Sequence, residues 1–350
     1  MKFSLSMTIV CCLATALWAQ PPARHTITKF DVQGAGKGQF QGTFPGGIVA
    51  DGSVDGYYID ANNVSHGFFR STTGQITKFS APGAGAGSGQ GTFPIGMNST
   101  HVIVGYYLDS NGVFHGFTRS ASGQIKKLDV HGAGTARGQG TMLEDINNNG
   151  EIAGFVSDSN GANEAFVIHL KGKVNKFNAP GAGKGDSQGT SMAAASLTDE
   201  GAIAGQVVDS NGVKHGYLRT ANGKFEEFDP KGSSFFWVRG INTKNTIVGF
   251  YNFNGIHGFM RKADGTITQI DVPHATMATE INGINSAGAA MGLYYGYPGR
   301  GFIRNPNGSF TTFGVPGATK ETKPTSNNDG GSITGVWYDS TWVTHGFIRQ

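Results

Sequence analysis

Apolar and polar positions alternate in short runs along this chain, and each run stops at a turn rich in Gly, Asn or Asp. Residues 75–120 show the unit. Ile76-Thr77-Lys78-Phe79 reads as a strand, Phe93-Pro94-Ile95-Gly96-Met97 as a second and His101 to Tyr107 as a third. The turn Asp109-Ser110-Asn111-Gly112 leads into a fourth, Val113 to Arg119, and Ser122-Gly123 turns the chain again. Asn-Gly and Asp-Gly supply the positive φ that tight hairpins require. The same turn returns as Asn222-Gly223, Asp264-Gly265 and Asn307-Gly308.

The unit occurs seven times. Its mark is a His-Gly-aromatic tripeptide at His66, His115, His215, His257 and His345, with degenerate copies at Glu164-Ala165-Phe166 and Arg300-Gly301-Phe302. Strand-rich repeats of this period are those of a β-propeller. The chain begins on a fourth-type strand, Thr26 to Asp31, and ends on a third-type strand, Thr344 to Gln350. The expected fold is therefore all-β: a seven-bladed β-propeller of four-stranded antiparallel blades, closed by the N-terminal strand completing the last blade, which removes an exposed edge. Residues 20–350 form one domain in this reading. A two-residue turn at Thr73-Gly74 would set Phe68 opposite Phe79. The same count pairs Phe117 with Leu128, Phe166 with Phe177, Tyr217 with Phe228, Phe259 with Ile270 and Phe302 with Phe313, and across the termini Phe347 with Phe30.

Residues 1–19 read as a secretory signal. Lys2 precedes a mostly apolar run, Met7 to Leu17, and Ala19 suits cleavage. The run is shorter than the ~20 apolar residues of a span, so no membrane span is expected after signal removal. The expected location is secreted, as a monomer. Cys11 and Cys12 leave with the signal, so the core alone must hold the mature chain. Charged residues are 15% of the chain and the net charge is +3. No basic run argues for nucleic acid.

The pattern Ile-Asn, turn, Gly-x-Ile-x-Gly, then Asp-x-x-Gly and His-Gly-Phe resembles the HAF-type extracellular repeat proteins of bacteria. Here it reads Ile146-Asn147-Asn148-Asn149-Gly150-Glu151-Ile152-Ala153-Gly154, and Ile241-Asn242 with Ile247-Val248-Gly249. The resemblance covers the mature chain. It implies a secreted, propeller-like protein and brings no catalytic residues.

Candidate chemistry is thin. Five histidines share one repeat position, and equivalent positions in different blades lie too far apart for one ion with bonds of ~2 Å. Asp145 to Gly150 starts like a calcium loop, but its twelfth position is Val156 where a bidentate Glu is needed. No metal and no cofactor is expected. The Gly-Ala-Gly…Gln-Gly-Thr loops at 34–43, 83–92, 132–141 and 181–190 read as connections between blades, because no helix follows them to hold phosphate. Aligned first strands put Glu144, Ala195, Arg239 and Asn282 at one level, so Glu144, Asp145 and Arg239 are expected to line a central channel. Phe235, Trp237, Tyr297 and Trp342 replace the Gly-rich loops in later repeats and are expected to form a binding face, since aromatics offer large contact area at low entropy cost. The sequence thus favours a secreted binding or scaffold protein for a glycan or extracellular protein, without catalysis. The alternative is a secreted polysaccharide lyase or hydrolase acting at the channel mouth.

Overall fold

The computed structural model describes residues 25–169, 172–275 and 277–350, and the expected signal segment lies outside them. Among the described residues there are 28 β-strands and no α-helix, so no helix is long and apolar enough to cross a membrane. Strands β2 (Gly42–Ile48), β3 (Val54–Ile59), β4 (Ser65–Arg70) and β5 (Ile76–Phe79) form an antiparallel meander. Five further groups of four consecutive strands repeat it along the chain. The last group is β26 (Thr322–Asn327), β27 (Ile333–Tyr338) and β28 (Thr344–Arg349), and its fourth member is β1 (Ile27–Phe30).

Single parallel bridges, such as Gly42 to Thr344 and Gly91 to Ser65, link five groups into one continuous 20-stranded sheet. Glycine is required at these points. Gly42 has φ +125°, and a Cβ there would lie 1.9 Å from the Thr344 carbonyl oxygen.

The hairpin register differs by one residue from the sequence expectation. Phe79 lies opposite Gly67 and Phe68 opposite Lys78; Phe117, Phe166, Tyr217, Phe259 and Phe302 likewise face Lys127, Lys176, Glu227, Gln269 and Thr312. Across the termini Phe30 faces Gly346, and Phe347 faces Lys29. The cause is the turn. Ser71 N–H donates to the Gln75 carbonyl and Gly74 N–H to that of Ser71, with Gly74 at φ +88°. Three residues, not two, thus separate the paired positions, and a three-residue loop ending on a left-handed Gly is the next commonest hairpin solution. This register explains the Gly of the tripeptide: the Phe79 ring lies over Gly67, where a Cβ would approach it to 2.5 Å.

The buried aromatics instead pair between neighbouring groups. Phe30 meets Phe68 edge-on at 6.1 Å, Phe79 meets Phe117 at 6.2 Å and Phe313 meets Phe347 at 6.0 Å. Such pairs contribute about 0.5–1.5 kcal/mol each beyond burial, and here they hold sheet to sheet.

The Ile-Asn motif has a second role of this kind. The Asn147 Oδ1 accepts the N–H groups of Asn149 and Glu151, capping its own turn, while its Nδ2 donates to the Thr198 carbonyl of the next group. Asn98, Asn242, Asn285 and Asn328 do the same toward Asn147, Asn285, Asn328 and Val49.

The Gly-rich loops connect fourth strands to the next first strands. Gln41 accepts the Gly38 N–H and donates to the Ala61 carbonyl, and the buried Thr43 hydroxyl accepts the Val32 N–H. Gln90, Gln139 and Gln188 repeat the clasp. These contacts account for the Gln-Gly-Thr signature through folding alone.

Candidate functional site in the common cavity

The first strand of every group contributes to one cavity of about 760 Å³. Each of these strands carries a bulge. In β10 (Gly140–Ile146) the ladder steps from Leu143 to Asp145 and leaves Glu144 unpaired; in β18 (Phe235–Ile241) it steps from Val238 to Gly240 and leaves Arg239 unpaired. A bulge re-aims the extra side chain, and Glu144 and Arg239 both line the cavity with Asp145 and Asn282. Strand β14 (Gly189–Leu197) departs from the expected level. The strand is two residues longer than β10, its irregular stretch runs from Met192 to Leu197, and Ala195 sits there at φ +54°.

The wall is uneven. In the first two groups Phe44 stacks on Tyr57 at 5.0 Å, Tyr57 meets Phe93 at 5.3 Å, and Phe93 stacks on Tyr106 at 5.4 Å. The Phe44 position changes character along the later groups. Trp237 stands where Phe44 stands, and the next two groups place Glu280 and Lys323 there. Tyr295 Oη donates to Glu280 Oε1 at 3.0 Å, and Lys323 Nζ lies 3.8 Å from Glu280 Oε2.

Three carboxyls are held in their neutral form to unusually high pH. Burial, with the Asp145 charge behind it, raises Glu144 to about 7. Burial raises Asp145 to about 6, against the N–H groups of Leu197 and Ile146 that bind its carboxylate. The third is Asp55, which has no exposed surface. Burial raises it to about 7 although Oδ1 accepts the Gly47 N–H at 2.9 Å, and Oδ2 has no partner. Sequence reading passed over Asp55. The signal was available in the repeat alignment, because the other groups carry Val104, Ala153, Ala204, Val248, Met291 and Thr334 at that position.

Of the four aromatics expected to form a binding face, only Trp237 lines the cavity. It is 43% exposed. Phe235 is exposed beside it in β18, outside the cavity lining. Tyr297, almost fully exposed, lies in a turn that does not reach the cavity. Trp342 is half-buried against Phe40 and Tyr338, with φ +63°.

The repeated histidines are structural pegs. His115 Nδ1 bonds Asp129 at 2.9 Å, Nε2 faces Asp109 at 3.6 Å, and its ring packs on Tyr107. His215, His257 and His345 bond Asp229, Asp271 and Asp31 in the same way, and His66 bonds Ser80. The turn aspartates are likewise occupied. Burial works to raise Asp109, but the N–H groups of Val113 and Asn111 and the His115 ring outweigh it and hold the carboxyl below its ordinary value. Among the described residues no group of three His, Cys, Asp or Glu side chains converges to hold a metal.

No family model and no curated protein matches the chain. Similar solved structures do exist. A virginiamycin B lyase from Staphylococcus aureus, a catalytically inactive histidine-to-alanine variant with quinupristin, is 14% identical with a TM-score of 0.58. That match covers 93% of this chain and 99% of that one. A puromycin hydrolase is 13% identical over 85% of this chain and 50% of its own, with a TM-score of 0.56. The Aleuria aurantia lectin is 11% identical over 77% of this chain and 93% of its own, with a TM-score of only 0.42. At these identities the likeness to the lyase and the hydrolase shows an all-β, propeller-like fold and no more.

Proposed function

We propose that this chain is a secreted, non-catalytic binding protein of the HAF type, a closed seven-bladed propeller that takes its ligand at the common cavity. The observation that carries the reading is the cavity itself. Its lining includes Phe44, Tyr57 and Phe155 together with polar groups, among them Arg239, Lys323 and Tyr338. Apolar walls with a few placed polar groups are the ordinary form of a ligand site. Closure is supported by the β1–β28 ladder and by the Asn328 to Val49 bond. Secretion rests on the apolar run after Lys2. A glycan fits the stacked aromatics, and an extracellular protein segment is the other ligand of suitable chemistry.

A second reading has its own support. Glu144 and Asp145, neighbours raised to about 7 and about 6, have the protonation expected of a general acid and base near neutral pH. That reading is a lyase or hydrolase for extracellular polysaccharide. No histidine lines the cavity, so any proton transfer there falls to carboxyls, tyrosines or Lys323. A glycan array probed with the mature chain, its Trp237→Ala variant and its Tyr57→Ala variant tests the binding reading. Loss of the same signals in both variants supports it, and identical arrays for all three refute it. Depolymerisation of any bound glycan, abolished by Glu144→Gln, would move the assignment to the enzyme.

A further inference from the structure

At the junction between the fourth and fifth groups the backbone seam seen elsewhere is missing. At four junctions a first-strand glycine, among them Gly42 and Gly91, approaches the preceding group's third strand and makes a parallel bridge. The corresponding residue of β18 is Phe235, and the loop before it, Asp229 to Ser234, lacks the Gln-Gly clasp. The third-strand residue left without its bridge is Lys214, the first residue of β16 (Lys214–Arg219). Its Nζ lies 3.8 Å from the centre of the Trp237 ring. Arg239 approaches the same ring at 5.9 Å and Phe250 at 5.2 Å.

Neither cation has an acidic partner within ion-pair distance among the described residues. The nearest candidate for Arg239 is Glu280, and both of its oxygens are engaged, by Tyr295 and Lys323. Burial pulls both Lys214 and Arg239 below their ordinary pKa values; the Glu280 charge offsets only part of the cost for Arg239, and no charge offsets it for Lys214. Two cations without an ion-pair partner on one half-exposed indole are a receptor for negative charge next to a flat apolar surface.

We propose that Trp237 and Arg239 of the cavity wall, with Lys214 beside them, form an anion subsite, and that the ligand carries a carboxylate beside a flat apolar face, with the carboxylate on Arg239 and Lys214 and the face on Trp237. This rests on the binding reading above and narrows it to acidic ligands. Two sources share that chemistry, an acidic sugar and an aromatic acid.

The test is quenching of tryptophan fluorescence, with Trp237→Phe as the control that identifies the signal. One pair of probes is digalacturonate and its methyl ester. The other is 2-naphthoate and 2-naphthamide. We expect at least one acid to bind about tenfold more tightly than its neutral partner. Arg239→Gln and Lys214→Gln should each remove most of that preference, weakening the acid far more than the neutral probe. Added salt should weaken the acid alone. Preference for digalacturonate assigns the sugar, and preference for naphthoate assigns the aromatic acid. Equal binding of acid and neutral probe overturns the subsite while leaving a binding cavity intact. Acid binding unchanged in both charge variants, or no binding of either acid, also overturns it.

Discussion

Asn328 Nδ2 donates to the Val49 carbonyl across 2.9 Å, joining the last four-stranded group to the first. The same side chain caps its own turn through Oδ1, which accepts the Ser332 N–H. One amide therefore sustains a local turn and a long-range contact, and replacing it removes both. Asn328→Ala should lower stability by about 1–3 kcal/mol, the cost of leaving buried polar groups unpaired. Asn285→Ala should behave alike, because Asn285 bonds the Asn328 carbonyl and the Ala289 N–H. Urea unfolding of both variants measures it, and a midpoint equal to the parent's would show that the amides are dispensable.

The pairing of the two chain ends can be read chemically. Ile27 faces Arg349, while the bonds between Thr26 and Gln350 on one side make it a non-hydrogen-bonded pair, the closer kind. In a Cys11→Ser, Cys12→Ser background, Ile27→Cys with Arg349→Cys should form a disulfide on mild oxidation. Thr28→Cys with Arg349→Cys, the pairing that a two-residue turn would demand, should form it poorly. Reversal of that order would restore the register expected from sequence.

Two glycines in one loop separate backbone strain from backbone collision. Gly89 has φ +78° with open space around it, whereas Gly91 has φ +115° and a Cβ there would lie 2.1 Å from the Ser65 carbonyl oxygen. Gly89→Ala should cost about 1 kcal/mol, the left-handed penalty alone. Gly91→Ala should cost well beyond that, since sheet backbone must move. Thermal unfolding of the pair decides it; equal costs would mean that the seam is pliable.

Asp55 makes stability depend on pH with a defined sign. Its ordinary value, 3.8, holds in the unfolded chain and its folded value is about 7, so the folded state holds an extra proton between them. That contribution is fully present below the lower value and is lost as pH rises through the upper one. Each such carboxyl tilts stability downward by about 1.4 kcal/mol per pH unit inside the window. Glu144 and Asp145 act in the same direction, more weakly because both reach the cavity solvent. Asp55→Asn keeps the acceptor for Gly47 and removes the titration, so its stability should be flatter with pH and exceed the parent's at the alkaline end. Urea midpoints across the window test this, and parallel curves for variant and parent would place Asp55 in solvent.

The amino-acid sequence alone determined the four-strand repeat, the strand positions to within one or two residues and the pairing of the N-terminal strand with the C-terminal one. It also determined the level of Glu144 and Arg239 in their strands. All of these follow from local alternation and from turn residues, which act within a few positions of themselves. The tertiary structure decided the rest. Hairpin register turns on one residue of loop length, and Thr73-Gly74 is compatible with a two- or a three-residue turn until the strands pair. Phe30 chose Phe68 of the next group over Phe347 of its own, because Gly346 beneath it has no side chain to meet. Asp55 became a strained carboxyl only where neighbouring sheets shut out water. Lys214 meets Trp237 across the junction between the fourth and fifth groups, a contact between residues of different sheets. Such contacts join residues distant in the chain, and their energies depend on which surfaces the fold brings together.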